Sequence, residues 1–198
     1  MAIVKNVELW WVKVDAERPV KNVDPSKPDY WEVQLRTTDK AAAAAYAKES
    51  INFKPLKRIV KDASGQPMLD DFNEKVREVV KCEKTGKPYF SVNVRKKVTK
   101  ADGSAQNPVQ LVGGDLTPIN AKEVGNGSIA NVRLFQYDYT YQGKEGRANM
   151  LMAIQVTNLL KYEQKPQEDA FEMTEMKVIT IGDNQVSDSL DDNDDLDF

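Results

Sequence analysis

A chain of 198 residues with 40% hydrophobic content is long enough for one sizeable core. Its 28 basic and 31 acidic residues are joined by one cysteine and no histidine, which excludes an internal disulfide, His-ligated zinc, and Ser-His or Cys-His catalysis. The N terminus alternates from its first residues and carries Lys5 and Glu8, and no apolar run is long enough to span a bilayer, so neither a signal peptide nor a membrane segment is expected.

Residues 3–14 read as a long strand, with Val7, Leu9 and Trp11 on one face and Trp10, Val12 and Val14 on the other. Residues 15–29, with Pro19, Pro25 and Pro28, form a loop. Residues 30–36 alternate: Trp31, Val33 and Leu35 point inwards, and Tyr30, Glu32, Gln34 and Arg36 outwards. A helical insertion is expected over about residues 38–82. It opens with an alanine-rich helix capped by Thr38 or Asp39. Phe53, Leu56 and Val60 then recur at helical spacing, as do Lys54, Lys57, Arg58 and Lys61, so four cations share one face if this segment is helical. Asp71 with Glu74 three residues on resembles a capping box, and Leu69, Phe72, Val76, Val79 and Val80 make an apolar stripe. Cys82 beside Glu83 has no electropositive setting and reads as structural.

Residues 88–98 return to period two. Phe90, Val92, Val94 and Val98 occupy one face; Tyr89, Ser91, Asn93, Arg95 and Lys97 occupy the other. Residues 131–141 and 147–157 are the last long strands, joined by the five-residue loop QGKEG. The simplest register sets Tyr141 against Arg147, Tyr139 against Asn149 and Tyr137 against Leu151, so that one face carries Phe135 and three tyrosines between Arg133 and Arg147. Residues 172–181 are expected to form a further strand or helix. Five antiparallel strands with an interposed helical insertion most economically make a five-stranded antiparallel OB-type Greek-key barrel, a sandwich being the alternative.

The chain closes on GDNQVSDSLDDNDDLDF, with seven aspartates and no lysine or arginine. Such a run cannot bury enough apolar surface to order itself and is expected to be a disordered acidic tail over residues 182–198, following a domain at residues 1–181. Without the seven tail aspartates the remainder holds 28 basic against 24 acidic residues, a net charge of about +4. A basic body with an acidic arm is the pattern of a polyanion-binding surface and its tethered imitator.

A groove for unpaired nucleic acid combines cations that track phosphates with rings on which bases stack. Tyr89 with Arg95 and Lys97, and Tyr137, Tyr139 and Tyr141 with Arg133 and Arg147, supply both, and Lys54, Lys57 and Arg58 are further candidate phosphate contacts. For any single ring, packing in the core is an equal alternative, because period two does not choose a face. No catalytic constellation and no cofactor or metal site emerges. Gly125, Gly127 and Ala130 spell GxGxxA, but a strand follows instead of a helix. Residues 84–88 lack the spacing of a phosphate loop, and residues 191–195 lack the glycine and glutamate of a calcium loop.

The tail DDNDDLDF, the segment GGDLTPINAKEVGNGSIANV at residues 113–132, and the aromatic strand followed by QGKEGRANMLMAIQVTNL resemble the OB-fold single-stranded DNA-binding proteins of tailed bacteriophages. The resemblance covers most of residues 88–198; the first 87 match in general organisation only. It implies a non-enzymatic protein of phage DNA replication, recombination and repair in the host bacterial cytoplasm, with single-stranded DNA as ligand. It also implies that the tail, through Asp191, Asp192, Asp194, Asp195, Leu196, Asp197 and Phe198, competes with DNA and recruits replication proteins such as a polymerase, helicase or primase. Leu196-Asp197-Phe198 replaces the Pro-Phe ending of the bacterial counterparts. A homodimer is left open, and the competing reading is an interaction module whose basic face binds an acidic protein.

Overall fold

Period-two patterning organises most of the molecule. In a computed structural model of the chain the described residues are 1–161; residues 162–198, which include the expected element at 172–181 and the acidic tail, lie outside them. The elements in order are β1 (Ala2–Lys13), β2 (Tyr30–Thr37), α1 (Lys40–Lys48), β3 (Lys54–Pro55), β4 (Lys57–Ile59), β5 (Arg77–Val79), β6 (Phe90–Lys97), β7 (Gln110–Gly113), a 3-10 turn (Ala121–Glu123), β8 (Ser128–Tyr141) and β9 (Lys144–Asn158). Strands β6, β2, β1, β8 and β9 pair antiparallel in that order, and β6 meets β9 in parallel at Arg95 and Met150. That contact closes a five-stranded barrel with the Greek-key connectivity of an OB fold. The short β3 and β7 extend β6 and β9 at its rim.

The barrel is filled from every wall. Val4, Val7 and Leu9 of β1, Trp31, Val33 and Leu35 of β2, Val94 of β6, Val132 and Leu134 of β8, and Leu151 and Ile154 of β9 are almost completely buried. The alternation read for β2 holds. In β1 it breaks twice, at bulges flanked by Val4 and Val7 and by Trp10 and Lys13. Asn6 and Trp11 sit at these bulges with φ of 52° and 54°, and each extra residue flips the side-chain parity downstream. Trp11, expected on the same face as Val7 and Leu9, is therefore 56% exposed. Its N–H donates to Asn126 Oδ1 at 2.8 Å, which ties the bulge to the loop before β8.

The helical insertion is mostly not helical. Only α1 forms, with Asp39 Oδ1 accepting from the N–H groups of Ala41 and Ala42 at 2.8 and 3.0 Å. Tyr46 anchors it to the barrel by packing on Phe53 and accepting from the Lys5 N–H at 2.9 Å. From residue 54 the chain builds a β-lobe around the two-stranded sheet of β4 and β5. β4 pairs antiparallel with β5, and single bridges join Lys61 to Pro67 and Leu69 to Lys75. Val60 N–H donates to the Val76 carbonyl, Val76 to Met68 and Met68 to Val60, at 2.9–3.0 Å, so the three segments close a ring of backbone bonds. The helical spacing of Phe53, Leu56 and Val60 is overridden by prolines at 55 and 67 and by β-branched residues at 59, 60, 76, 79 and 80. In place of a capping box, Asp70 Oδ1 accepts from the N–H groups of Phe72 and Glu74, both at 2.9 Å, and makes a turn.

Candidate nucleic-acid interface

The register of β8 decides what the barrel shows on its outside. Val132 and Leu134 point inwards, so Arg133, Phe135, Tyr137, Tyr139 and Tyr141 point out, and the four rings are 40–67% exposed. The last hairpin turns on two residues, Gln142 and Gly143, both at positive φ (50° and 73°), the geometry of a type I′ hairpin. The last three residues of the expected five-residue loop, Lys144 to Gly146, are thus paired strand, and the expected partners are displaced. Tyr141 faces Lys144, Tyr139 faces Gly146, Tyr137 faces Ala148, Phe135 faces Met150 and Arg133 faces Ala153. On the reverse face Val132 meets Ile154, Leu134 meets Leu151 and Gln136 meets Asn149.

This register uncovers the rings. Gly146 and Ala148 leave Tyr139 and Tyr137 without tall neighbours, and the Tyr139 ring lies so close over Gly146 that a Cβ there would fall 2.7 Å from it. Phe135 and Tyr137 stack with ring centroids 6.2 Å apart. Arg147 is not on this face: it stands opposite Asp138 on the other side of the hairpin, with Nε donating to Oδ1 at 2.7 Å and Nη2 to Oδ2 at 3.3 Å. Donation from Arg147 holds the Asp138 carboxyl below its ordinary range, and the same bond raises the guanidinium. The reverse face is fastened to the end of α1, where Gln136 Nε2 donates to the Glu49 carbonyl and Asn149 Nδ2 to that of Ser50.

The ring face continues across the barrel seam. Met150, the partner of Phe135, is also the parallel partner of Arg95 on β6. The Arg95 guanidinium lies 4.6 Å from the Tyr30 ring centroid and pairs with Glu32. Lys97, opposite Tyr30, is exposed beside it. One outer wall therefore carries Lys97, Tyr30 and Arg95, then Met150, then Phe135 and the three tyrosines. Lys96 turns the other way and is almost wholly buried, and that burial lowers its pKa.

Tyr89, expected among the stacking rings, is only 7% exposed. Its hydroxyl donates to Glu8 Oε2 at 2.9 Å, the carboxylate that also accepts from Trp10 Nε1 at 3.2 Å. The Arg36 guanidinium lies 3.8 Å from the Trp10 ring centroid and 5.8 Å from that of Tyr89, and burial lowers its pKa. Burial first, then hydrogen bonding towards Cys82 and Glu8, keeps the Tyr89 phenol protonated far above the usual range. Tyr89 is thus a brace on the barrel wall. Its hydrogen bond to Cys82, with a second from Thr85, brings that thiol down to about 7, a polarising setting that Glu83 alone did not suggest. Lys54 is exposed in β3 opposite Ser91, while Lys57 and Arg58 lie in β4 on opposite faces of the lobe, Arg58 paired with Glu78.

Trp11 and Lys144, both exposed, and the half-buried Tyr30 lie outside the expected site residues. Their signals were a doubled aromatic at a bulge, a ring beginning an amphipathic strand, and a cation inside what looked like a loop. Among the described residues no three His, Cys, Asp or Glu side chains group to hold a metal, and no helix is long and apolar enough to cross a membrane.

No protein-family model and no curated protein sequence matches the chain significantly. Solved structures with which it aligns include a C-terminally truncated single-stranded DNA-binding protein from bacteriophage Enc34, at 12% identity over 79% of this chain and 84% of that one, with a TM-score of 0.46. The same Enc34 protein in complex with single-stranded DNA aligns at 12% identity over 83% of this chain and 88% of that one, with a TM-score of 0.46. A third is gp2.5, a single-stranded DNA-binding protein encoded by bacteriophage T7, at 12% identity over 87% of this chain and 96% of that one, with a TM-score of 0.41.

Proposed function

We infer that the protein coats single-stranded DNA with little sequence preference and performs no catalysis. Bases stack on Tyr137, Tyr139 and Tyr141, and phosphates meet Arg133, Lys144, Arg95 and Lys97, with Lys54 at the edge of the same wall. Tyr89 and Arg147 serve this surface indirectly, the first by bracing β6 and the second by neutralising Asp138 behind the hairpin. One observation carries the reading: a row of half-exposed rings on a single strand face, opposed by Gly146 and Ala148. A hydrophobic face of that size has no packing partner within the described residues, while every base offers a π-face to a ring.

The wider role rests on the resemblance of residues 88–198 to the phage single-stranded DNA-binding proteins. A sequence-tolerant coat protects unpaired strands during phage DNA replication, recombination and repair, which places it in the host bacterial cytoplasm. The acidic tail competes with DNA for the basic wall and offers Leu196 and Phe198 to replication proteins. The test is a titration of intrinsic fluorescence with poly-dT. Stacking is expected to quench tyrosine and tryptophan emission, and alanine at Tyr137 or Tyr139 is expected to weaken binding by about 1–3 kcal/mol each. An unquenched titration, with equal affinity for all variants, would leave the acidic-protein adaptor as the better reading.

A further inference from the structure

Resting on that reading, we propose that the β-lobe between β3 and β6 is a second phosphate-binding surface that lengthens the single strand held by one molecule, through Lys57, Lys61, Lys75 and Arg77. Register supplies the face. Lys57 stands opposite Val79 and Ile59 opposite Arg77, while Lys61 pairs with Pro67 and Lys75 with Leu69. Directly paired residues share a side and alternate residues along a strand share it too, so the four cations and the half-exposed Ile59 and Leu69 occupy one surface. All four cations are exposed. None of them forms an ion pair among the described residues.

Three acidic residues of the lobe, Asp62, Asp70 and Glu78, are drawn elsewhere. Glu78 is held by Arg58 on the opposite face. Asp62 and Asp70 turn back onto their own loops, where Asp62 Oδ1 accepts from the N–H groups of Ser64 and Gln66 and Asp70 Oδ1 from those of Phe72 and Glu74. A strand places alternate side chains about 6.7 Å apart, a step close to that between successive phosphates of an extended single strand, and the exposed Ile59 and Leu69 suit the intervening sugars. The lobe also follows directly from the proposed interface, because Lys54 of β3 pairs with Ser91 of β6, the strand that bears Arg95 and Lys97.

The experiment uses the full chain and the triple variant Lys61→Gln, Lys75→Gln, Arg77→Gln, with oligo-dT of about 8 and about 30 nucleotides, within and beyond the span of one OB fold. The variant is expected to bind the long oligonucleotide about tenfold more weakly at low salt. The slope of log K against log salt should fall by about two, from three lost contacts at roughly 0.7 each. Affinity for the short oligonucleotide and its fluorescence quenching should be unchanged. A charge-conserving variant (Lys61→Arg, Lys75→Arg, Arg77→Lys) should keep both affinity and slope. Wild-type slope and affinity in the Gln variant, or equal losses in the charge-conserving one, would overturn the proposal. So would loss of binding to a peptide of residues 183–198 with long-strand binding intact, which assigns the face to an acidic protein. If the short oligonucleotide fails to quench the wild-type protein, the aromatic-wall reading fails, whatever the lobe does.

Discussion

Arg147 and Asp138 show how one pairing changes the role of a side chain. An arginine at that distance along the chain from the tyrosines reads as a phosphate contact, yet the two-residue turn sets it opposite an aspartate on the far face. Because Arg147 lowers the Asp138 pKa, the pair adds stability that is complete above the unfolded aspartate value and is lost as pH falls through the folded one. Replacing Arg147 by alanine should move the Asp138 carboxyl titration, followed by NMR, upwards into the ordinary range; a midpoint left in place would mean that the pair does not persist in solution. Tyr89 makes the same point. Its hydroxyl could have faced a base, but Glu8 and the Arg36–Trp10 stack enclose it, and its burial depends on residues 81 and 53 positions away in the chain.

At the level of elements, the bulges of β1 and the lobe are the two departures from simple alternation. Trp11 holds a left-handed backbone that costs a bulky residue roughly 1–3 kcal/mol, compensated in part by the bond from its N–H to Asn126. Trp11→Gly should therefore leave the unfolding midpoint equal or higher, whereas Asn126→Ala should destabilise by about 1 kcal/mol through the unmet donor. Denaturant melts of the two variants check the pair, and a markedly destabilised Trp11→Gly would show that the ring packs more tightly than its exposure indicates. The lobe departs from its sequence pattern for a related reason. Charges at 54, 57, 58 and 61 fit a helical stripe, and only pairing with residues 67–79 makes the segment a strand that sets Lys57 and Lys61 apart from Arg58.

At the scale of the whole molecule, the balance of charge makes its own prediction. With the seven tail aspartates set apart, the remainder carries about +4, and a tethered polyanion competes with DNA most strongly where screening is weakest. Removing residues 183–198 should tighten poly-dT binding at low salt, with the gain shrinking as salt rises; equal affinities for both chains at low salt would remove the competition. What the amino-acid order determined unaided were properties settled within a few residues: the strand character of β1, β2, β6, β8 and β9, the inward side of β2, the helix that follows Asp39, and the acidic composition of the last residues; which face of β8 turns inwards was left to the fold. What only the tertiary structure decided were the outcomes of meetings between distant segments. These are the shear that sets Tyr139 over Gly146, the enclosure of Tyr89, the parallel seam that joins Arg95 to the ring face, and the choice of strand over helix in the lobe. The physical reason is that side-chain alternation is a property of one strand, whereas register, bulges and closure are fixed by backbone hydrogen bonds to another, whose alignment no local pattern contains.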